Sequence, residues 1–191
     1  INDFNRWNVW VQIRILKAKN LKQRVKIMSF MIHLCQELQI LKNYHGMFAV
    51  EQGLESASIH RLKVLWGRLK NDDLDSFNGL KSICSRDRGY KTLRVRHEAA
   101  EEGIPYIGFT LQDLTFIEDG NHNSYQKNIR TGVYIKKLES FQFNGYWNIK
   151  ADEEMQQSLL KELHSCKCKT EDDMWKLSGV IKKADTKEAR K

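Results

Sequence analysis

Two acidic residues, Glu118 and Asp119, stand at the end of an apolar segment that runs from Ile104 to Asn121. The segment contains the only proline of the chain, Pro105, and Gly120 follows the two acids. Proline is tolerated in the first turn of a helix, and glycine or asparagine commonly ends one, so the pattern predicts a short helix with marked ends. Negative charge is unfavourable at the C-terminal end of a helix. The two acids therefore indicate either a functional use or simple exposure to solvent, where the cost is small.

Residues that could carry out covalent catalysis are dispersed along the chain. The sequence has no Gly-rich phosphate loop with a Lys-Ser/Thr pair and no Gly-x-Ser-x-Gly elbow. Its six histidines show no i, i+4 pairing with an acid between them, and its carboxylates do not cluster. We therefore expect no covalent chemistry and no cofactor, which means a protein that is not an enzyme in that sense.

Three residues near the C-terminus, His164, Cys166 and Cys168, are the candidates for a metal site. Their spacing is tighter than the usual zinc pattern, and no second pair of ligands lies nearby in the sequence. An incidental polar loop is the favoured interpretation, so no metal is expected.

A basic and aromatic cluster, formed by Tyr90, Lys91, Arg94 and Arg96, would suit nucleic acid, and the chain carries a net charge of +8. The basic residues are scattered, however, and acids are interleaved with them. An ordinary surface helix is favoured at this cluster, and no nucleic-acid partner is expected.

Apolar residues recur at steps of three and four along nearly the whole chain, which predicts an all-α domain. Asn20 suits the N-cap of a long buried helix, and Ser58 suits the cap of a later one. The short polar link before Tyr125 predicts that the two helices beside it run antiparallel as a hairpin. The predicted helices lie near residues 5–17, 21–41, 47–54, 58–69, 74–84, 90–102, 104–121, 125–143, 153–163 and 172–183.

The length suits one domain over residues 1–184, followed by a polar tail at residues 185–191. No apolar run approaches the ~20 residues that a membrane-spanning helix needs. Four cysteines in 191 residues do not make a disulfide framework and favour a reducing compartment. We expect a cytoplasmic location, with any recruitment to the inner membrane surface left to other domains. The chain has five tryptophans, and most of them are expected in the core. They are Trp7, Trp10, Trp66, Trp147 and Trp175.

Six ordered blocks of the chain resemble the catalytic domain of Ras-family guanine-nucleotide exchange factors. They are FNRWNVWVQIRIL, LKQRVKIMSFMIHLCQELQILKNYHGMFAVEQGL, SASIHRLKVLW, GYKTLR, IPYIGFTLQDLTFIEDGN and MWKLSGVIKK. No single block is decisive, but six blocks in this order are specific and extend over nearly the whole chain. The family domain usually has several more helices before the first block, so we expect an N-terminally truncated member.

The resemblance implies an orthogonal multi-helix domain with a protruding helical hairpin, formed here by residues 106–121 and 125–143. In this family the hairpin enters a small GTPase and opens its switch region. The resemblance places Thr115 near the GTPase's magnesium site and Asp119 near its phosphate site, with Tyr106 bracing the base of the hairpin. The implied GTPase-binding positions are Tyr90, Glu55, Leu111, Leu114, Glu118 and Asn121.

The implied function is exchange of guanine nucleotide on a Ras- or Rap-like small GTPase, by expulsion of GDP and magnesium. Two alternatives stay open. A GTPase-binding or scaffold module with the same fold would bind without releasing nucleotide, either through the absent first helices or through Glu55, which stands where the family commonly has Asn. A basic helical nucleic-acid binder would show salt-dependent affinity that depends on Arg94 and Arg96.

Overall fold

The computed structural model describes residues 2–120, 123–143, 146, 149–166 and 170–188. Over these residues the chain forms eleven helices and no strand, which confirms the predicted all-α class. One isolated bridge joins Asn43 and Ile104. The helices are α1 (Asn2–Leu16), α2 (Leu21–Ile40), α3 (Tyr44–Glu55), α4 (Ala57–His60), α5 (Lys63–Trp66), α6 (Asn71–Cys84), α7 (Lys91–Ala99), α8 (Ile107–Gly120), α9 (Ser124–Phe143), α10 (Glu153–Ser165) and α11 (Glu171–Glu188).

The centre of the core lies where α1, α2 and α3 cross. Its fully buried side chains include Ile15, Met28, Ile32, Met47, Phe48 and Leu54. Gly53 permits the close crossing of α1 and α3, because a Cβ at this position would lie 2.8 Å from the Cβ of Val11. Burial of such apolar side chains is the main driving force for folding.

The predicted cap of α2 is confirmed, whereas that of the later helix is wrong. Asn20 is the N-cap of α2, and its side chain accepts a hydrogen bond from the backbone N–H of Gln23 at 2.9 Å. Ser58 lies inside α4 and donates its hydroxyl hydrogen to Gln12 Oε1 at 2.7 Å. The helix begins after Ser56, and the segment predicted as one helix forms the two short helices α4 and α5.

The helix predicted to begin at Ile104 begins instead at Ile107. The backbone of Ile104 is paired with the turn before α3: its N–H donates to Lys42 O at 3.1 Å, and its carbonyl accepts from Tyr44 N–H at 2.9 Å. A residue before proline is also disfavoured in the helical region. Pro105 therefore precedes α8 and is not part of its first turn.

The last helix, α11, extends into the predicted polar tail. Asp185 is 1% exposed and pairs with Arg24 of α2, with Arg24 Nη2 at 2.5 Å from Asp185 Oδ1. A second hydrogen bond joins Arg24 Nε to Asp185 Oδ2 at 3.2 Å. Such a bidentate pair is the geometry in which a buried charge is best satisfied. The first residues of the predicted tail, up to Glu188, thus belong to the packed domain.

The tryptophans divide between core and surface. Trp10 is buried and donates its indole N–H to Glu162 Oε2 at 2.8 Å, which ties α10 to α1. Trp175 is 45% exposed on α11, whereas Trp7 and Trp66 are half-buried. Trp147 lies outside the described residues.

Metal and membrane features are absent from the part of the chain that the structure describes. No group of three metal-ligating side chains occurs there, and Cys168 of the candidate site lies outside it. Cys35, Cys84 and Cys166 are buried free thiols. Within the same residues, no helix has the length and apolarity to cross a bilayer.

Candidate functional site

Helices α8 and α9 form the predicted antiparallel hairpin. Near its tip, Lys127 Nζ lies 2.7 Å from Glu118 Oε1, and further down Tyr134 donates its hydroxyl hydrogen to Asp113 Oδ2 at 2.9 Å. Because the residue numbers of α8 fall as those of α9 rise, these two contacts fix an antiparallel register. Toward the tip Tyr125 is 72% exposed, as expected for a hairpin that projects from the domain.

The outer face of α8 carries exposed apolar side chains. Phe116 is 63% exposed and Leu111 is 46% exposed, whereas Leu114 is half-buried. Thr115 is exposed between them, and its hydroxyl donates to Leu111 O at 3.0 Å. This hydrogen bond uses the hydroxyl hydrogen of Thr115, so its methyl group and the lone pairs of its hydroxyl oxygen remain for a partner. A face of this kind is suited to protein contact.

The two acids at the end of α8 differ in their surroundings. Glu118 is paired with Lys127, whereas Asp119 is exposed and makes no ion pair within the described residues. The carboxylate of Asp119 therefore lies at the negative end of the helix dipole, and no side chain among the described residues forms an ion pair with it. Asn121, the next predicted contact, lies outside the described residues.

Tyr106 lies at the base of the hairpin, one residue before α8. Its ring stacks on Phe48 of the core, with centroids 4.2 Å apart and planes at 19°. A Cβ built on Gly108 would fall on the Tyr106 ring, so the stack requires glycine at that position. Burial, with the neighbouring Tyr90, raises the pKa of Tyr106 to about 12. Tyr106 therefore stays neutral and acts in packing.

Tyr90 belongs to the same aromatic cluster. Its ring centroid lies 5.9 Å from that of Phe48 and 6.1 Å from that of Tyr106. Tyr90 precedes α7 with φ +64°, and Arg88 has φ +50°. Left-handed backbone is costly for residues other than glycine, so the packing of the Tyr90 ring must hold this turn in place. The helix predicted to include Tyr90 accordingly begins at Lys91.

A salt bridge that sequence analysis missed ties the hairpin to the domain. The Arg94 guanidinium of α7 pairs with both carboxylate oxygens of Asp113 in α8, which also accepts from Tyr134 in α9. Arg94 also donates to Gly89 O at 2.6 Å and covers the ring of Phe109. We call Arg94, Asp113 and Tyr134 the hairpin brace.

The electrostatics of the hairpin brace favour a fixed charge pair. Burial alone would raise the pKa of Asp113, but the hydrogen bonds from Arg94 and Tyr134 outweigh it and the pKa is lowered. The hydrogen bond to Asp113 raises the pKa of Arg94. Both groups are therefore charged at neutral pH. Arg94 and Asp113 are 19 residues apart in the sequence, and their contact depends on the packing of three helices. No local sequence pattern therefore predicts this salt bridge.

Closer to the base of the hairpin than the hairpin brace, a further set of contacts joins α9 to α7. Lys137 Nζ donates to Glu98 O at 2.9 Å and to Ala100 O at 2.8 Å. His97 is buried against Phe141, with ring centroids 4.8 Å apart. Burial and the nearby cation of Lys137 lower the pKa of His97 to about 4, so the ring is neutral.

Glu55 lies apart from the hairpin, at the end of α3. Its carboxylate pairs with Lys81 of α6 at 3.0 Å. One turn earlier, Gln52 Oε1 accepts from Arg86 at 3.5 Å, which places the end of α3 beside the segment that leads to α7. The structure thus gathers Tyr90 and Tyr106 at the base of the hairpin, the α8 residues on its outer face, and Glu55 on a separate helix.

A groove of about 1010 Å³ lies elsewhere, between α1, α2 and α10. It is lined by Trp7, Trp10, Phe30, Leu34 and Met155, among others, and by none of the predicted site residues. Its shape favours apolar contact, but it has no part in the arrangement around the hairpin.

Comparisons with known proteins agree with this architecture. A family model of the RasGEF domain matches residues 1–139, which include the brace and most of the hairpin. The chain is 32% identical over 161 residues to Ras guanine nucleotide exchange factor P of Dictyostelium discoideum, an alignment that covers 80% of this chain and 11% of that protein. It is 31% identical over 189 residues to factor B of the same organism, covering 95% of this chain and 12% of that protein.

A human relative matches a shorter part of the chain. The chain is 38% identical over 117 residues to the Ras-specific guanine nucleotide-releasing factor RalGPS2 of Homo sapiens, covering 60% of this chain and 20% of that protein. The chain therefore spans a small part of the length of each relative. The match to the family model and the long alignments agree with the helical hairpin domain seen in the structure, and the chain belongs to the RasGEF domain family.

Proposed function

We propose that this chain accelerates GDP release from a Ras- or Rap-like small GTPase. The observation that carries the proposal is the exposed outer face of α8, which ends in the exposed carboxylate of Asp119, for which no ion pair occurs among the described residues. Membership of the RasGEF domain family supports the class of reaction. No covalent bond is made or broken, which is consistent with the dispersed acids and histidines of the sequence.

In the proposed mechanism the hairpin acts as a wedge against the switch region of the GTPase. The small side chain of Thr115 approaches the site that holds magnesium, and Asp119 approaches the loop that holds the nucleotide phosphates. A carboxylate there competes for the hydrogen-bond donors of that loop and repels the phosphates. Displacement of the magnesium ion removes the charge that neutralises them. Both effects weaken GDP binding while the GTPase stays bound to the hairpin, so GTP can replace GDP.

A wedge must be held rigidly if it is to transmit binding energy. The bidentate Arg94–Asp113 pair and the Tyr134 hydroxyl connect both hairpin helices to α7. The Tyr106 stack on Phe48 connects the start of α8 to the core. We propose that these ties hold the outer face of α8 at a fixed angle, so that closing on the GTPase distorts its switch region and leaves the hairpin in place.

The remaining contacts would come from the body of the domain. Small GTPases of this class have two switch segments, and Tyr90 is proposed to meet the second of them. Glu55 is proposed to contact the GTPase as well, while Leu111, Leu114 and Glu118 line the hairpin side. The pair with Lys81 constrains Glu55, so a partner must either accept this ion pair or replace Lys81 with its own cation. A stable complex would bury a standard-sized interface, roughly 1,600 Å² in total.

The proposal is tested by release of fluorescent GDP from a panel of Ras-family GTPases. We expect the chain to accelerate release from at least one Ras- or Rap-like member, with the effect lost in Asp119→Asn. Binding of a GTPase without faster release would favour the scaffold module instead. Salt-dependent binding of nucleic acid with no GTPase binding would favour the nucleic-acid binder, although Arg94 is already engaged with Asp113.

A further inference from the structure

Helix α11 has a buried face and an opposite face that is open to solvent. The buried stripe consists of Met174, Ser178, Ile181 and Asp185. Given the 3.6-residue period of the helix, the opposite stripe consists of Lys176, Val180, Lys183 and Lys187, all of them exposed. We call this stripe, together with Trp175 and Lys182 at its edge, the α11 basic face.

The α11 basic face carries positive charge that is largely uncompensated. Between Lys176 and Lys187 the only acid is Asp185, which is buried in its pair with Arg24. Lys176 pairs with Asp172 at 2.5 Å. Over the described part of the chain, the other three lysines of the face make no ion pair.

More lysines adjoin the C-terminal end of this helix. The backbone N–H of Leu21 donates to Glu188 Oε2 at 3.4 Å, so the turn between α1 and α2 contacts the end of α11. That turn and the start of α2 carry the exposed side chains of Lys17, Lys19 and Lys22. These lysines add positive charge near the end of α11, beside the carboxylate of Glu188.

Apolar side chains lie within this positive surface. Val180, at the centre of the stripe, is 68% exposed. The Trp175 ring beside it is covered on one face by the Arg61 guanidinium, 3.6 Å from the ring centroid. The same residues line a shallow groove of about 810 Å³. Tryptophan among basic side chains is typical of surfaces that enter the headgroup layer of a membrane.

We propose that the α11 basic face docks on the surface of an anionic lipid bilayer, with Val180 and the edge of Trp175 entering the headgroup layer. The lysines supply attraction to acidic lipids, and the apolar side chains gain by leaving water. A nucleic acid fits this face less well. Arg61 covers one face of the Trp175 ring, so a base cannot stack there, and the apolar side chain of Val180 forms no favourable contact with phosphates. The face lies outside the segment that matches the family model, and docking does not require exchange activity.

The test is cosedimentation of the whole chain with phosphatidylcholine vesicles, with and without phosphatidylserine. We expect binding only to the phosphatidylserine vesicles, with affinity that falls as salt is added. The double variant Lys183→Gln/Lys187→Gln should bind about 25-fold more weakly, since each cation near an acidic membrane contributes about fivefold. Val180→Ser should weaken binding severalfold and leave its salt dependence unchanged.

The matched control is Lys150→Gln/Lys161→Gln, which removes the same charge from exposed positions on other segments. We expect the control to lose less than about threefold, because these lysines do not lie on the face. All the substituted side chains are exposed, and thermal melts of each variant will show that the fold is retained. GDP release measured without vesicles should be unchanged in every variant, so this test is separate from that of the exchange activity.

Three results would overturn the proposal. The first is an absence of binding to acidic vesicles even at low salt, and the second is an equal loss in the α11 and control variants, which would indicate a mere effect of net charge. The third is binding of duplex DNA or RNA that is tighter than vesicle binding and insensitive to Val180→Ser, which would assign the face to nucleic acid.

Discussion

The substitution Asp119→Asn should slow GDP release while leaving the domain as stable as before, or more stable. Asp119 is exposed and forms no ion pair among the described residues, so removing its charge breaks no ion pair in that part of the domain. Negative charge at the C-terminal end of α8 opposes the helix dipole, and its removal is worth about 0.3–1 kcal/mol. For a chain of this size, this corresponds to a melting temperature about 1–3 °C higher.

The expected loss of activity is larger than the gain in stability. In the proposed complex the carboxylate competes for charged hydrogen bonds with the nucleotide phosphates, and such bonds are worth about 1.5–3 kcal/mol each. Since 1.36 kcal/mol corresponds to a tenfold change in rate, the release rate should fall about tenfold to a hundredfold. The assay is release of fluorescent GDP at saturating exchange factor, with differential scanning calorimetry on the same samples.

Glu139→Gln is the matched control, because it removes an exposed acid near the C-terminal end of the other hairpin helix, at the base of the hairpin. Because Glu139 precedes the last turn of α9, where the helix dipole has little effect, the control should change stability little and keep the release rate. Equal release rates for wild type and Asp119→Asn would refute the role of the carboxylate. A rate loss that appears only together with a lower melting temperature would refute the claim that the charge acts in the complex.

Three further predictions concern side chains that affect the stability of the domain. Gly108→Ala should lower stability by about 1–3 kcal/mol and slow exchange, because its Cβ displaces the ring of Tyr106, whereas Gly132→Ala, which meets open space, should be neutral or stabilising. Asp113→Asn should lower the melting temperature by about 2–6 °C and reduce kcat for exchange more than it raises KM, as a loosened hairpin predicts. Burial raises the pKa of Glu51 to about 7, so ionising it costs stability as pH rises from about 5 to 8. Glu51→Gln should therefore stabilise the domain by roughly 1–3 kcal/mol at pH 8 and by little at pH 5, measured by urea unfolding.

Helix content and the hairpin were predictable from sequence because they depend on local patterns. Asn20 caps α2 by accepting a hydrogen bond from the backbone N–H of a residue only three positions later. The short link before Ser124 makes α8 and α9 run antiparallel. The periodicity of apolar residues gave the remaining helices to within a few positions. Ser58 was misassigned because a serine at the second position of a helix can instead donate to a distant acceptor, here Gln12.

The contacts that position the candidate site were not predictable, because they join residues far apart in the chain. From the sequence of its own helix, Arg94 is predicted to be a surface cation. Only the packing of α7 against the hairpin brings Arg94 into contact with Asp113. Asp185 likewise reads as part of a polar tail until α11 meets Arg24, a residue 161 positions away. The resemblance to exchange factors supplied the proposed roles of Thr115 and Asp119, which their own surroundings do not specify.

The most direct test of the hairpin as a wedge is a photo-crosslink from Thr115. A photo-reactive benzoylphenylalanine at this exposed position should form, with the nucleotide-free GTPase, an adduct that mass spectrometry maps to the segments around the magnesium and phosphate sites. The same group at the exposed position of Lys150 should give no such adduct. Adducts from Thr115 that map only to surfaces remote from the nucleotide, in a complex that still releases GDP, would contradict the account.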